Sequence, residues 1–287
     1  MHNAQCIMHN AQSRFSRQSK TSRYLEKHLT LNTFPLMPNV IILQEIGSTN
    51  DLIKHTASTM ESGTLVAAFK QSAGRGQKGN SWEAAPGKNV TCSLLLKKPN
   101  VDIKRQFAIS EAVSLAIVDV LERYATGFKI KWPNDIYHND RKIAGILIEN
   151  SLGDGCIDYT IAGVGLNVNQ QLFTSGAPNP VSLTHITGKF YDIKSMIDEL
   201  GEAMEQYCDF DGSTQQLEAL HKRYLSKLYR NDHKPHTFIT PDGEAFEATI
   251  ETVDPDGTIK LRHMSDQSVH SYLFKEVGHV INKKKFI

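Results

Sequence analysis

Lys131-Trp132-Pro133-Asn134-Asp135, followed seven residues after the Asp by Lys142 in Arg141-Lys142-Ile143-Ala144-Gly145, is the stretch on which the reading of this chain turns. Phe128, Ile130 and Trp132 alternate with Lys129 and Lys131, the period-two pattern of a half-buried strand. Pro133 ends that strand, because it has no N–H for a ladder and restricts the residue before it. Asn134 and Asp135 are therefore expected at a strand end. Tyr137-His138-Asn139-Asp140 is expected to reverse the chain, and Ile143 to Ile148 reads as a partner strand that returns Lys142 to the side of Asp135. A cation and a carboxylate held at the edge of a buried strand suit chemistry on a carboxylate and a phosphate. The plain alternative is a hairpin with a solvated ion pair.

Gly74-Arg75-Gly76-Gln77-Lys78-Gly79-Asn80-Ser81-Trp82 follows the apolar run Thr64 to Phe69. Its three glycines satisfy the dinucleotide fingerprint and the glycine spacing of a phosphate loop, but the surroundings fit neither. Asn80-Ser81 stands where a phosphate loop needs Lys followed by Ser or Thr. Pro86-Gly87 and the strand-like run Val90 to Leu96 leave no room for the helix of a Rossmann turn. The segment reads as a basic loop between two strands, able to wrap an anion. Upstream, Gly47-Ser48-Thr49-Asn50-Asp51 places hydroxyl and amide groups before the amphipathic run Leu52 to Ala57, which also suits a helix N-cap. Downstream, Gly163 and Gly165 share one face of the strand Ile161 to Asn169, so something passes close to that backbone, either a ligand or a packed side chain.

Taken in order, Ser48-Thr49-Asn50, Gln71, the Gly74 to Gly79 loop with Trp82, Lys131 to Asp135, Arg141 to Gly145 and Gly163 to Asn167 resemble the biotin protein ligases, which attach biotin to carboxylase carrier domains. The resemblance runs from about Val40 to Val280. It implies an α+β fold, a mixed β-sheet flanked by helices related to class II aminoacyl-tRNA synthetases and lipoate ligases, with a small C-terminal SH3-like β-barrel. It implies a biotin site of Ser48, Thr49, Asn50, Gln71, Arg75, Gly76, Gln77 and Lys142, joined by Gly145, Gly163 and Gly165. Lys78, Asn80, Trp82, Asn134 and Asn167 fall on the ATP side, although Trp82 could equally be core packing. The substrates implied are biotin and ATP, with Mg²⁺ carried on the triphosphate, and the partner is a biotin carboxyl carrier domain. A homodimer is left open. One departure stands out: the best-known bacterial members have Arg-Arg where this chain has Gln77-Lys78.

Charges then assign roles to Lys142, Asp135 and Arg75. A biotin carboxylate is already ionised at neutral pH, so activation needs no base; it needs the repulsion between carboxylate and α-phosphate removed. The Lys142 ammonium can bridge the two, each charge-assisted hydrogen bond contributing roughly 1.5 to 3 kcal/mol, with Arg75 on the other side of the same anion. Transfer needs a neutral carrier lysine, which at a pKa of about 10.4 costs about 4.6 kcal/mol at neutral pH. A carboxylate is a weak base there, so Asp135 is assigned orientation and electrostatics ahead of proton removal. Two rival readings are a lipoate- or octanoate-type adenylate ligase and a non-enzymatic nucleotide-binding regulator. The run Ser48 to Asn50 and Trp132 to Asp135 argue against the first, and Lys142 against the second.

The chain has 287 residues, 40% of them hydrophobic, enough for two domains. No apolar run reaches a membrane span, and Cys6, Cys92, Cys156 and Cys208 form neither a disulfide framework nor a zinc spacing. A reducing, cytoplasmic setting without a membrane partner or a protein-held metal is expected. Residues 1–36 carry a net +4 and the remainder −3, a balance that calls for no nucleic acid. That first segment repeats Met1-His2-Asn3-Ala4-Gln5 as Met8-His9-Asn10-Ala11-Gln12. Rich in Ser and Arg with no acid before Glu26, it resembles an organelle transit peptide, but a misassigned start with Met37 the true start is the simpler reading; it is expected to be a disordered leader, too short for a winged helix-turn-helix domain.

The catalytic domain is expected over 37–231 and the small barrel over 232–287. Helical spacing marks Phe107 to Tyr124, stopped by Gly127, then Met196 to Tyr207 and Leu217 to Leu228. Beyond His236, Asp242-Gly243 and Asp256-Gly257 are hairpin signals between the short strands Phe238-Ile239, Phe246 to Ile250, Thr258 to Leu261 and His270 to Phe274.

Overall fold

The computed structural model describes residues 39–77, 79–175 and 179–281. The expected leader, Met37 and Lys78 lie outside them. Among the described residues, seven strands form a mixed sheet: β1 (Val40–Leu43), β2 (Leu65–Ala68), β3 (Val90–Lys97), β4 (Phe128–Lys131), β5 (Asp135–His138), β6 (Arg141–Gly153) and β7 (Cys156–Leu166). Their spatial order is β1-β2-β3-β7-β6-β5-β4, with β1 and β2 parallel and every other pair antiparallel.

Helices cover the two faces unequally. Helix α1 (Thr49–Thr56) lays Leu52, Ile53 and Ala57 on Leu43, Val66, Ala68, Leu95 and Ile161. The opposite face packs on α2 (Phe107–Glu122) and α4 (Ile193–Tyr207), with α5 (Thr214–Ser226) behind α2; a one-and-a-half-turn α3 (Leu183–Thr187) lies between α2 and α4 in the chain. Helix α2 is apolar nearly all round because it is sandwiched between sheet and helices, with Ile109, Val113, Leu115, Ala116, Ile117 and Val120 fully buried. On the α1 face, beyond that helix, lie the rows Ser93, Gly163, Leu147 and Thr91, Gly165, Gly145, Asp135. The three glycines and Ser93 leave this part of the face hollow.

The chain then forms a five-stranded antiparallel sheet, in the order β11-β10-β9-β8-β12, from β8 (His236–Ile239), β9 (Ala245–Val253), β10 (Ile259–His263), β11 (Val269–Tyr272) and β12 (Gly278–His279). Gly243 and Gly257, at φ +93° and +94°, make the two turns that Asp-Gly signalled. This sheet is pinned to the preceding part of the chain: Trp132 Nε1 donates to the Gly257 carbonyl at 2.9 Å, Gly257 lies against Phe107, and Arg230 donates to the Val280 carbonyl at 2.9 Å.

Three local expectations shift. Tyr137 and His138 belong to β5, and the reversal is confined to Asn139-Asp140, with Asn139 at φ +52°. Helix α5 stops at Ser226, since Leu228 is drawn to the edge strand by pairing with Ile130. Strand β11 ends at Tyr272, leaving Leu273 and Phe274 in a turn.

Candidate functional site

A β-bulge builds the charged end of the site. Between β5 and β6 the register slips, Ile136 opposing Ala144 while Tyr137 opposes Lys142. The extra residue, Ile143, lets Lys142 share the face of Gly145 although the two are three apart, a re-aiming that an unbroken strand forbids. Asp135 pairs with Gly145 and so shares that face too. The outcome is a 2.6 Å ion pair between Lys142 Nζ and Asp135 Oδ1, both partly shielded from solvent. Gly145 makes the crossing feasible, because a Cβ there would lie 3.3 Å from Lys142 Nζ and 3.0 Å from the Trp82 ring.

The polar end is set by the start of α1. Ser48 caps that helix through the Asp51 N–H, as its position suggested, and Ser48, Thr49 and Asn50 are all buried. Gln71 Oε1 accepts from the Thr49 N–H at 2.8 Å. Thr49 Oγ1 and Ser93 Oγ lie 2.7 Å apart, and Ser93 Oγ donates to Asn50 Oδ1 at 2.6 Å. Asn50 Nδ2 donates to Glu149 Oε2 at 2.7 Å. This connected set of donors and acceptors is pre-ordered by its own bonds.

Between the two ends runs the glycine loop, closed as a tight hairpin. Gly76 N–H donates to Asn80 O at 2.7 Å, Trp82 N–H to Gly74 O at 2.9 Å, and Arg75 bridges Ser81. Gly74 cannot carry a side chain, since its Cβ would sit 2.9 Å from the Trp82 carbonyl. Arg75 reaches across to Glu149 and Asp51, at 2.7 and 2.8 Å. Burial pushes the Glu149 pKa up, but hydrogen bonds from Asn50 and Arg75 and the guanidinium charge outweigh it and hold the carboxyl below its ordinary value.

These parts enclose one cavity of about 220 Å³. Ser48, Thr49, Asn50, Gln71, Arg75, Gly76, Gln77, Asn80, Trp82, Asn134, Asp135, Lys142, Gly145, Gly163 and Gly165 all line it, so the structure brings together nearly every residue singled out in the sequence. Lys78 lies outside the described residues, and among those described Asn167 is the exception: it is buried away from the cavity, donating to the Val181 carbonyl at 3.1 Å. The two alternatives for the strand glycines resolve toward packed side chains. A Cβ at Gly163 would overlap the Asn50 amide and one at Gly165 the Trp82 ring. Trp82 therefore lies flat on the cavity floor, its Nε1 buried without a partner and its ring 5.6 Å from Lys142 Nζ.

Sequence reasoning missed Glu149, Ser93 and Lys275. Glu149 was findable as the second step of two from Gly145 along β6, on the same face. Ser93 and Lys275 carried no local signal. Their roles come from the β3–β7 register and from a turn of the second sheet.

Comparison with known proteins agrees with this geometry. A family model of the biotin/lipoate A/B protein ligase family matches residues 40–167. The biotin–acetyl-CoA-carboxylase ligase of Paracoccus denitrificans is 31% identical over 173 residues, 58% of this chain and 71% of that protein. The bifunctional ligase/repressor BirA of Bacillus spizizenii is 34% identical over 140 residues, 47% of this chain and 42% of that protein, so the match spans about two fifths of that relative. A solved biotin protein ligase from Aquifex aeolicus, in complex with biotin and ATP, shares the fold at a TM-score of 0.71 and 22% identity, over 86% of this chain and 100% of that one.

Proposed function

The chain belongs to the biotin protein ligase family, and on that premise we propose that it is an ATP-dependent ligase that forms biotinyl-5′-AMP and transfers biotin to a lysine of a biotin carboxyl carrier domain. The observation that carries the reading is the Lys142–Asp135 pair at one end of a cavity whose other end is lined by Thr49, Asn50 and Gln71, with the buried Ser93 bonded behind them. The network offers the donors and acceptors that a ureido ring requires. A lipoyl chain has no such group and would leave them unused, which favours biotin.

In the first step a biotin carboxylate oxygen bonds to the α-phosphorus and the bond to pyrophosphate breaks; no proton moves. Lys142 leaves Asp135 to bridge the two anions, and its bonds strengthen as charge builds in the transition state. Arg75 approaches the same anion from the loop. A Mg²⁺ ion carried on the triphosphate would supply charge neutralisation there; with Asp135 as the one carboxylate lining the cavity among the described residues, such an ion would be held mainly by phosphate oxygens and water. In the second step the carrier ammonium first gives one proton to solvent, the neutral amine attacks the acyl carbon, the bond to the phosphate oxygen breaks so that AMP departs, and the second amine proton passes to solvent. Asp135, released from Lys142, orients the incoming ammonium and steadies its charge.

The test is incubation of the full chain with ATP and labelled biotin or lipoate, followed by an apo carrier domain. Biotinyl-adenylate, then label on the carrier lysine, is the expected result. A lipoyl-adenylate formed in preference, or none with either acid, overturns the reading.

A further inference from the structure

We propose that Lys275, on the turn between β11 and β12, binds the phosphate chain of ATP, making the C-terminal sheet part of the active site. The inference rests on the ATP-dependent reading above. Lys275 lines the cavity beside Asp135, Lys142 and Gln77, although it belongs to the other sheet.

Two further observations point to a ligand. The first is the charge inventory of the cavity among the described residues. Lys142 is held by Asp135, and Arg75 by Glu149 and Asp51. Lys275 has no carboxylate partner there; its ammonium lies 5.8 Å from the centre of its neighbour's ring, Phe274. It is thus the cavity's uncommitted cation, on a wall where the loop presents the uncharged Gln77. The second is the backbone. Lys275 sits at φ +76°, a left-handed conformation that glycine adopts with less strain. Among the described residues with a side chain and a positive φ, it is the one that lines the cavity.

The turn is also firmly placed. Leu273 N–H donates to Glu276 Oε2 at 2.7 Å, Glu276 N–H to Leu273 O at 3.1 Å, Val277 is buried, and Phe274 meets Trp132 edge to face at 6.3 Å. Trp132 lies in the connection between β4 and β5, three residues before Asp135, so the segment that leads to that carboxylate also fixes the position of Lys275. An ammonium in this position adds a charge-assisted bond to a phosphate without first breaking an ion pair.

ATP binding by calorimetry and adenylate kinetics on the full chain, for wild type, Lys275→Arg, Lys275→Gly and Lys275→Glu, test this. Lys275→Gly should weaken ATP binding and raise KM for ATP about tenfold, the loss of one such bond. Lys275→Glu should do more, Lys275→Arg should stay within about twofold, and KM for biotin should hold in all. The melting temperature of Lys275→Gly should equal or exceed that of wild type, because the strain is relieved; a marked fall would assign a structural role and overturn the proposal. Equal ATP affinity in all four proteins overturns it alone. Absence of both ATP binding and adenylate in wild type overturns the functional reading, and this inference with it.

Discussion

Gly165→Ala is the smallest change expected to disable the site. The added Cβ would lie 2.5 Å from Trp82 Nε1 and 2.7 Å from Cδ2, where an ordinary contact begins at 3.4 Å, so the ring has to retreat by about 1 Å. It cannot slide along the floor, because Gly145 already meets its far edge and Lys142 lies beside it. The open direction is into the cavity. Overpacking of this kind costs about 1 to 3 kcal/mol in stability, and a ring displaced into a 220 Å³ cavity should raise KM for biotin about tenfold. The assay is a double-mutant cycle: urea midpoints and biotin KM for wild type, Gly165→Ala, Trp82→Ala and the double variant. If Trp82 is the cause, Gly165→Ala becomes nearly silent once the ring is gone, with a coupling of about 1 to 2 kcal/mol. An equal penalty in both backgrounds would refute the reasoning and return the glycine to a direct ligand contact.

Other outcomes follow from the same geometry. Lys142→Ala should slow adenylate formation about 10²- to 10⁴-fold, the loss of two charge-assisted bonds; unchanged pyrophosphate release in a folded variant would sink the assignment. Glu149→Gln keeps an acceptor for Asn50 but loses the ion pair to Arg75, so limited trypsin digestion in the loop should accelerate, and an unaltered rate counts against the clamp. Gln77→Arg should slow escape of biotinyl-AMP about tenfold, read as less biotin on bystander lysines at constant adenylate formation. The same labelling in both proteins would withdraw position 77 from the phosphate. His221 Nδ1 lies 2.6 Å from buried Glu111, and that bond raises the His221 pKa against the opposing effect of burial. Its contribution is then complete below the unfolded value of about 6.5 and lost as pH rises through the higher folded value. His221→Ala should cost about 1.5 to 3 kcal/mol at pH 6 and clearly less at pH 9; equal costs at both would contradict this.

The two ends of the cavity differed in how readable they were. Local rules sufficed for the strand before Pro133, the Ser48 cap and the Asp-Gly turns, because each depends on neighbours in sequence. The same rules extended helix α5 to Leu228, which tertiary pairing with Ile130 instead claims. The β5–β6 bulge was not legible. Without it, Lys142 and Gly145 would face opposite sides, and only the register of three strands shows that they do not. Glycines 163 and 165 advertised a close approach but not its partner, since Asn50 and Trp82 arrive from segments about a hundred residues away in sequence. Lys275 was invisible for the same reason. A lone lysine in a turn reads as solvated surface until the second sheet is docked against Trp132.

The ion pairs of the free protein bear on the order of events in the proposed reaction. Lys142 and Arg75 are each neutralised by carboxylates of the chain itself, so neither presents a bare cation to a passing anion, in contrast to Lys275. Substrate must exchange for those partners, and the exchange favours a ligand that offers more than one oxygen in place of a single carboxylate contact. When Lys142 turns to the acyl phosphate, Asp135 loses its 2.6 Å partner at 15% side-chain exposure and keeps only the more distant charge of Lys131, its neighbour across β4 and β5. A carrier lysine arriving as an ammonium restores that balance. Asp135 is thus occupied before the adenylate exists and receptive after it forms, which orders activation ahead of transfer without requiring any large movement of the sheet.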